Sequence, residues 1–121
     1  MIYNIGIDIV HIPKFKKAVE RWGDKLKKRI FTKGELAYCK NRRFSEQHLA
    51  VRFAAKEAFI KALGRGVGSN KEIEVTNNSD GRPYILLNSK SPIQNSELRT
   101  HLSLSHDGDY CIAQVILETN E

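Results

Sequence analysis

The chain has 121 residues, of which 40% are hydrophobic and 28% charged, with a formal net charge of +6. This fits one soluble globular domain, for which about 100–200 residues is usual, and excludes a disordered chain. No run approaches the roughly 18 uninterrupted apolar residues of a membrane-spanning helix. The charge is unevenly placed: residues 1–65 carry 16 basic and 6 acidic side chains, residues 66–121 carry 4 and 8. A basic half points to an anionic partner without naming it. Asp8 interrupts the start of the chain where a secretory leader would be apolar, and Cys39 and Cys111 lie too far apart for a metal or redox motif. The expectation is therefore a cytoplasmic protein with reduced thiols. So small a domain has little room to enclose a deep site, so sharing between subunits is considered from the start.

Residues 2–10 are rich in β-branched side chains and read as a mostly buried strand interrupted by Gly6 and Asp8. Pro13 suits the first turn of a helix. Phe15, Ala18, Val19 and Trp22 give that helix an apolar side, and Lys14, Lys17 and Arg21 fall together on the other. Gly23-Asp24 ends it. Thr32 with Glu35 forms a capping box for a short helix to about Lys40. Ser45 is expected to cap the clearest helix, 46–63, which the glycines at 64, 66 and 68 stop. Strands are expected at 72–76 and 84–87 around Asn77-Asn78-Ser79-Asp80-Gly81, and at 100–106 and 110–117 around Asp107-Gly108. Helices in the first half and strands in the second indicate an α+β fold, one small domain over 1–121 with a long central helix on an antiparallel sheet.

Four features carry possible chemistry. Asp8 places a carboxylate in an apolar strand, which costs free energy unless it is paired, hydrogen-bonded or metal-bound, although strand alternation also allows it to face solvent. On the long helix, Phe53, Glu57, Ile60 and Lys61 share one side at about 100° per residue. Ala50 and Ala54 flank Glu57 and permit close approach of another element. Glu57 and Lys61 read equally as a catalytic pair or as a surface ion pair. Gly64-Arg65-Gly66-Val67-Gly68-Ser69 offers backbone N–H groups to a phosphate, or simply caps the helix. Ser105-His106 ends a strand, where a histidine could meet an anion or transfer a proton. His11, His48 and His101 show no metal spacing.

Taken together and in order, Gly6-Ile7-Asp8-Ile9-Val10, Phe31-Thr32-Lys33-Gly34-Glu35, the helix Arg52 to Leu63, Gly81-Arg82-Pro83 and Ser105-His106 resemble the small single-domain 4′-phosphopantetheinyl transferases, the holo-[acyl-carrier-protein] synthase group. The resemblance covers essentially the whole chain. It implies that group's fold and the transfer of the phosphopantetheine arm of coenzyme A to a serine of apo acyl carrier protein, in support of fatty acid biosynthesis. It further implies Mg²⁺ held by Asp8 and Glu57, Lys61 neutralising charge on the pyrophosphate, and coenzyme contacts from Arg52, Lys56, Gly64, Gly66, Ser105 and His106. Hard cations such as Mg²⁺ take oxygen ligands and often only one or two carboxylates. Glu35 and a water on the cation are both candidates for the base. A homotrimer with sites between subunits is implied, as is an acidic carrier-protein helix docking on Lys14, Lys17 and Arg21. Where the group often has a glutamate after Gly-x-Asp-Ile-Val, this chain has His11.

Two other classes compete. A small basic nucleic-acid-binding protein would use the charged first half, but there is no helix-turn-helix pattern, zinc spacing or exposed aromatic RNA motif. An inert assembly subunit would oligomerise without binding coenzyme A. The expectation is an enzyme with neither nucleic-acid nor membrane partners.

Overall fold

A computed structural model describes residues 1–66, 69–87 and 98–119. Strand β1 (Ile2–His11) leads straight into α1 (Ile12–Ile30), and His11 is the hinge residue between them. Its Nδ1 accepts a hydrogen bond from the Lys14 N–H at 3.2 Å, capping one of the orphan donors at the helix start. That is the local role of the histidine that departs from the group's pattern.

Helix α1 does not stop at Trp22. Gly23 takes a left-handed, non-helical conformation (φ +60°, ψ −145°), open to glycine without penalty, and the chain resumes helix to Ile30. Phe15 and Val19 before the break, and Leu26 and Ile30 after it, pack on the core. The kink turns Trp22 outward, so it is 60% exposed rather than part of the apolar side.

The Thr32 capping box is present as expected and starts α2 (Lys33–Lys40). The long helix α3 (Ser45–Leu63) departs at its cap: the capping position is Phe44, in the left-handed region at φ +59°, with no side-chain hydrogen bond. Left-handed backbone costs a non-glycine residue roughly 1–2 kcal/mol, less for asparagine. Phe44 is mostly exposed, so little packing is at stake. Phe44→Asn is expected to stabilise the protein by about 0.5–1 kcal/mol, read as a higher urea midpoint at unchanged slope.

β5 (Tyr110–Thr119) lies between β1 and β4 (Leu98–Asp107) in an antiparallel sheet of order β1-β5-β4. A separate antiparallel pair joins β2 (Ile73–Asn77) and β3 (Pro83–Leu87), preceded by a 3-10 turn at Asn70–Glu72. All four later strands were legible in sequence, displaced by one or two residues at their ends. The architecture is the expected α+β, with α3 packed across β1 and β5. Among the described residues, no helix is long and apolar enough to cross a membrane.

The close approach of α3 to the sheet occurs about two turns later than expected. Ala50 and Ala54 are buried, but the tight crossing is at Ala58 and Ala62 against Gly6. A Cβ at position 6 would sit 2.0 Å from the Ala58 carbonyl oxygen and 2.7 Å from the Ala62 nitrogen. Glycine at 6 and alanine at 58 and 62 therefore let strand backbone lie directly on helix backbone.

The strand β1 is buried on one face only. Gly6 is buried, and Asp8 and Val10 are half-buried towards α3. Tyr3, Ile5, Ile7 and Ile9 are 55–60% exposed on the opposite face. The pairing sets Ile5 beside Ile116 and Ile9 beside Ile112, so the outer face of the sheet is broadly apolar at its β1 side. Towards β4 it becomes polar through Ser103 and Ser105, paired with Gln114 and Ile112.

Candidate active site

Because Gly6 seats β1 on α3, the next inward-facing residue of the strand, Asp8, comes level with the last turns of the helix. The Lys61 Nζ lies 2.9 Å from Asp8 Oδ1 and donates a second hydrogen bond to the Ile7 carbonyl at 3.0 Å. Glu57, one turn before Lys61, borders with Asp8 a cleft of about 480 Å³. His11, Lys14, Phe15 and Phe53 are among its other walls. From Leu49 onward α3 is otherwise buried all round. Its open stripe is Phe53, Glu57, Ile60 and Lys61, the set that shares a side by helical periodicity.

Burial raises the Glu57 pKa above its ordinary value of 4.5, and the neighbouring Asp8 carboxylate adds to the rise. The Lys61 ammonium and a hydrogen bond with the Asn70 side chain oppose it. An acid whose pKa rises on folding loses stability as pH climbs through its unfolded value towards its folded one. The neutral Glu57→Gln should thus melt higher than wild type at pH 7 without divalent cation. The gap should close as the pH falls below about 4, as measured by thermal unfolding across pH.

Among the described residues no three His, Cys, Asp or Glu side chains cluster. Asp8 and Glu57 offer carboxylate oxygens only, from two rigid elements facing one cleft. That donor set fits a hard divalent cation that completes its shell with water and phosphate oxygens.

Arg52, Ser105 and His106 meet elsewhere. They line a second cavity of about 520 Å³ with Tyr38, His48, Asn77 and Arg82. Arg52 is 4% exposed; its Nη2 donates to Asn77 Oδ1 at 3.0 Å and its Nη1 to the His48 carbonyl at 3.3 Å. Its Nε is buried with no hydrogen-bond partner among the described residues. The guanidinium groups of Arg42 and Arg52 lie 4.1 and 4.2 Å from the Tyr38 ring centre. Burial, with Arg52, Arg42 and His106 nearby, pushes the His48 pKa down. A cavity lined by cationic groups and no carboxylate suits an anion. Tyr38, His48 and Asn77 were not read as site residues from sequence; Arg52, Gly81-Arg82-Pro83 and Ser105-His106 were its signals for this cavity.

Glu35 and Lys56 join neither group. Both are buried, and Lys56 Nζ lies 2.6 Å from Glu35 Oε1 while donating to the Ile30 and Asn70 carbonyls. Glu35 also accepts from the Thr32 and Val75 N–H groups at 2.9 and 2.8 Å. With its oxygens engaged and no exposed surface, Glu35 holds elements together, which removes the reason to assign it the serine proton. Lys56 likewise has no face left for a coenzyme. Gly64 closes α3 through its N–H to the Ile60 carbonyl, and Gly66 is exposed beyond it. Residues 67 and 68 of that loop lie outside the described residues. Lys14, Lys17 and Arg21 are exposed along α1, and Lys14 reaches the Asp8–Glu57 cleft.

A fold and a site of this kind define a transferase class: residues 4–115 match the family model described as the 4′-phosphopantetheinyl transferase superfamily. The chain is 44% identical to the holo-[acyl-carrier-protein] synthase of Geobacter sulfurreducens, covering 98% of each. The holo-(acyl-carrier-protein) synthase of Bacillus anthracis, solved in complex with CoA (3′,5′-ADP), superposes with a TM-score of 0.83 at 37% identity over 99% of each chain. That of Neisseria meningitidis gives 0.86 at 32% identity, over 98% of this chain and 100% of the other. The chain therefore belongs to the holo-[acyl-carrier-protein] synthase family of that superfamily, and is an enzyme of it.

Proposed function

We propose that the chain moves the 4′-phosphopantetheine group of coenzyme A to a serine hydroxyl of apo acyl carrier protein, releasing adenosine 3′,5′-bisphosphate, with Mg²⁺ held by Asp8 and Glu57. The observation that carries this reading is that Asp8 and Glu57 face one cleft with Lys61 paired to Asp8, a residue 53 positions before it in sequence and on another element. Attack on the pyrophosphate builds charge on phosphate oxygens, and a bound Mg²⁺ would supply Lewis-acid polarisation of those oxygens. Asp8 and Glu57 would hold that cation. Lys61 places a mobile ammonium within one turn of Glu57, where it neutralises charge on the phosphates or the leaving group. The Arg52–Ser105–His106 cavity takes the nucleotide end, with the 3′-phosphate against the cationic wall, and Gly64 and Gly66 border the path between. Lys14, Lys17 and Arg21 receive the acidic helix of the carrier, so the docked serine arrives at the Lys14 side of the cleft.

Arg52 and Glu57 are five residues apart on α3 and so about 140° apart around it. One coenzyme A held by both groups fits best between two protomers, each giving one half. The apolar outer face of β1 and β5 is where copies would join, in the homotrimer we propose. Ile5→Lys is expected to yield folded monomers with transfer reduced by at least tenfold, as read by sedimentation and by turnover. A wild-type protein that stays monomeric at micromolar concentration would contradict this assembly.

We place the enzyme in the cytoplasm, serving fatty acid biosynthesis, where buried Cys39 and Cys111 stay as free thiols. The test of the function is direct: with coenzyme A and Mg²⁺, apo carrier protein gains the mass of the phosphopantetheine arm, and chelation prevents it. No gain with several bacterial carriers would overturn the reading.

A further inference from the structure

We infer that Lys61 is a tethered stand-in for the divalent cation, occupying Asp8 until the cation arrives and giving it up when both carboxylates bind metal. The inference rests on the metal reading above and adds an order of events at the same site.

Lys61 sits on the ligand itself. Its Nζ is 2.9 Å from Asp8 Oδ1, and its second acceptor is the Ile7 carbonyl at 3.0 Å, next to Asp8 in the strand. Among the described residues, no other cationic side chain is ion-paired with Asp8. Glu57, one turn earlier on the same helix, also feels the Lys61 charge. One ammonium thus compensates two half-buried carboxylates that would otherwise repel each other across the cleft.

The contact is built to open. The Lys61 side chain is 56% exposed, whereas the Asp8 side chain is 16% exposed. Exposed ion pairs are worth little, because screening and the entropy of a long side chain offset the attraction. The strand carboxylate is fixed by its ladder, with Asp8 opposite Ala113, while the lysine swings on a four-carbon stem. A divalent cation has twice the charge of the ammonium and wins both carboxylates, so Lys61 leaves Asp8 Oδ1. The ammonium is then free for phosphate oxygens only when the metal is in place. Metal loading and the arming of Lys61 become one event.

The experiment titrates Mn²⁺, as the probe cation, into wild type, Lys61→Gln and Asp8→Asn without coenzyme A, by calorimetry or by the loss of free Mn²⁺ signal. A companion arm dimethylates the lysines with ¹³C and follows the Lys61 resonance, assigned by its absence in Lys61→Gln, as Mg²⁺ is added. The expected results are affinity about three- to tenfold tighter in Lys61→Gln, a Lys61 resonance that moves on Mg²⁺ addition, and neither response in Asp8→Asn. The charge effect of deleting Lys61 alone would tighten Mn²⁺ but leave the wild-type resonance fixed, and a fixed resonance overturns the inference. Equal or weaker Mn²⁺ affinity in Lys61→Gln overturns it as well, while Mn²⁺ binding and transfer by wild type leave the metal reading intact. Absence of Mn²⁺ binding to any of the three, with transfer unaffected by chelator, removes the metal reading and the inference together.

Discussion

Lys56→Met is expected to destabilise the protein by about 3–5 kcal/mol, the cost of stranding a buried charge. Glu35 would keep its place in the capping box, with Thr32 and Val75 N–H groups still donating to it, but would lose the cation that balances its charge. Two carbonyls, of Ile30 and Asn70, would lose their donor too. Burial pulls the Lys56 pKa down and the Glu35 charge opposes that pull, so the ammonium depends on its partner as much as the partner on it. The double variant Lys56→Met with Glu35→Gln should recover a substantial part of the loss, because an amide needs no counter-charge. Denaturant midpoints of the two singles and the double decide the matter. Lys56 also ties the end of α1 and the 3-10 turn to α3, and the turn carries Asn70, a hydrogen-bond partner of Glu57. Transfer by Lys56→Met at permissive temperature should therefore fall as well.

Gly6→Ala is the second large effect. The added methyl group would lie 2.0 Å from a backbone oxygen, and neither the strand nor the helix can yield locally as a side chain could. Over-packing of this kind costs about 1–3 kcal/mol or more, and relief requires β1 to slide away from α3. That movement carries Asp8 away from Glu57 and Lys61. The expectation is a folded but less stable protein whose transfer rate drops by about a hundredfold or more, since an ångström of misplacement at a reacting centre has that scale of consequence. A variant of wild-type activity would show that the Asp8–Glu57 spacing is not set by this crossing.

These two positions also mark what sequence could convey. Gly6 and Asp8 stood out because glycine and a carboxylate interrupt an apolar strand, and the helical period put Glu57 with Lys61. The capping box at Thr32 was legible because its chemistry is local. Lys56 was not: the family resemblance implied a coenzyme contact for it, and only its partner 21 residues away explains its burial. The second half of α1 was hidden by Lys25, Lys27, Lys28 and Arg29, which mask the Leu26 and Ile30 contacts. The exposed face of β1 was hidden for the opposite reason. A strand so rich in β-branched residues reads as mostly buried, and one chain covers only one of its faces. The same limit separated the two halves of the site, which lie on different sides of α3.

The most direct test of the Asp8–Glu57 centre is the Mg²⁺ dependence of transfer by wild type and Glu57→Gln, read as mass gain on apo carrier protein in the same preparation whose melting temperature is recorded. The expected result is Mg²⁺-dependent transfer by wild type, and transfer by Glu57→Gln lowered by at least a hundredfold although the variant melts at or above wild type. Full transfer by the folded Glu57→Gln protein at the same Mg²⁺ concentration would contradict the assignment of this cleft as the catalytic centre.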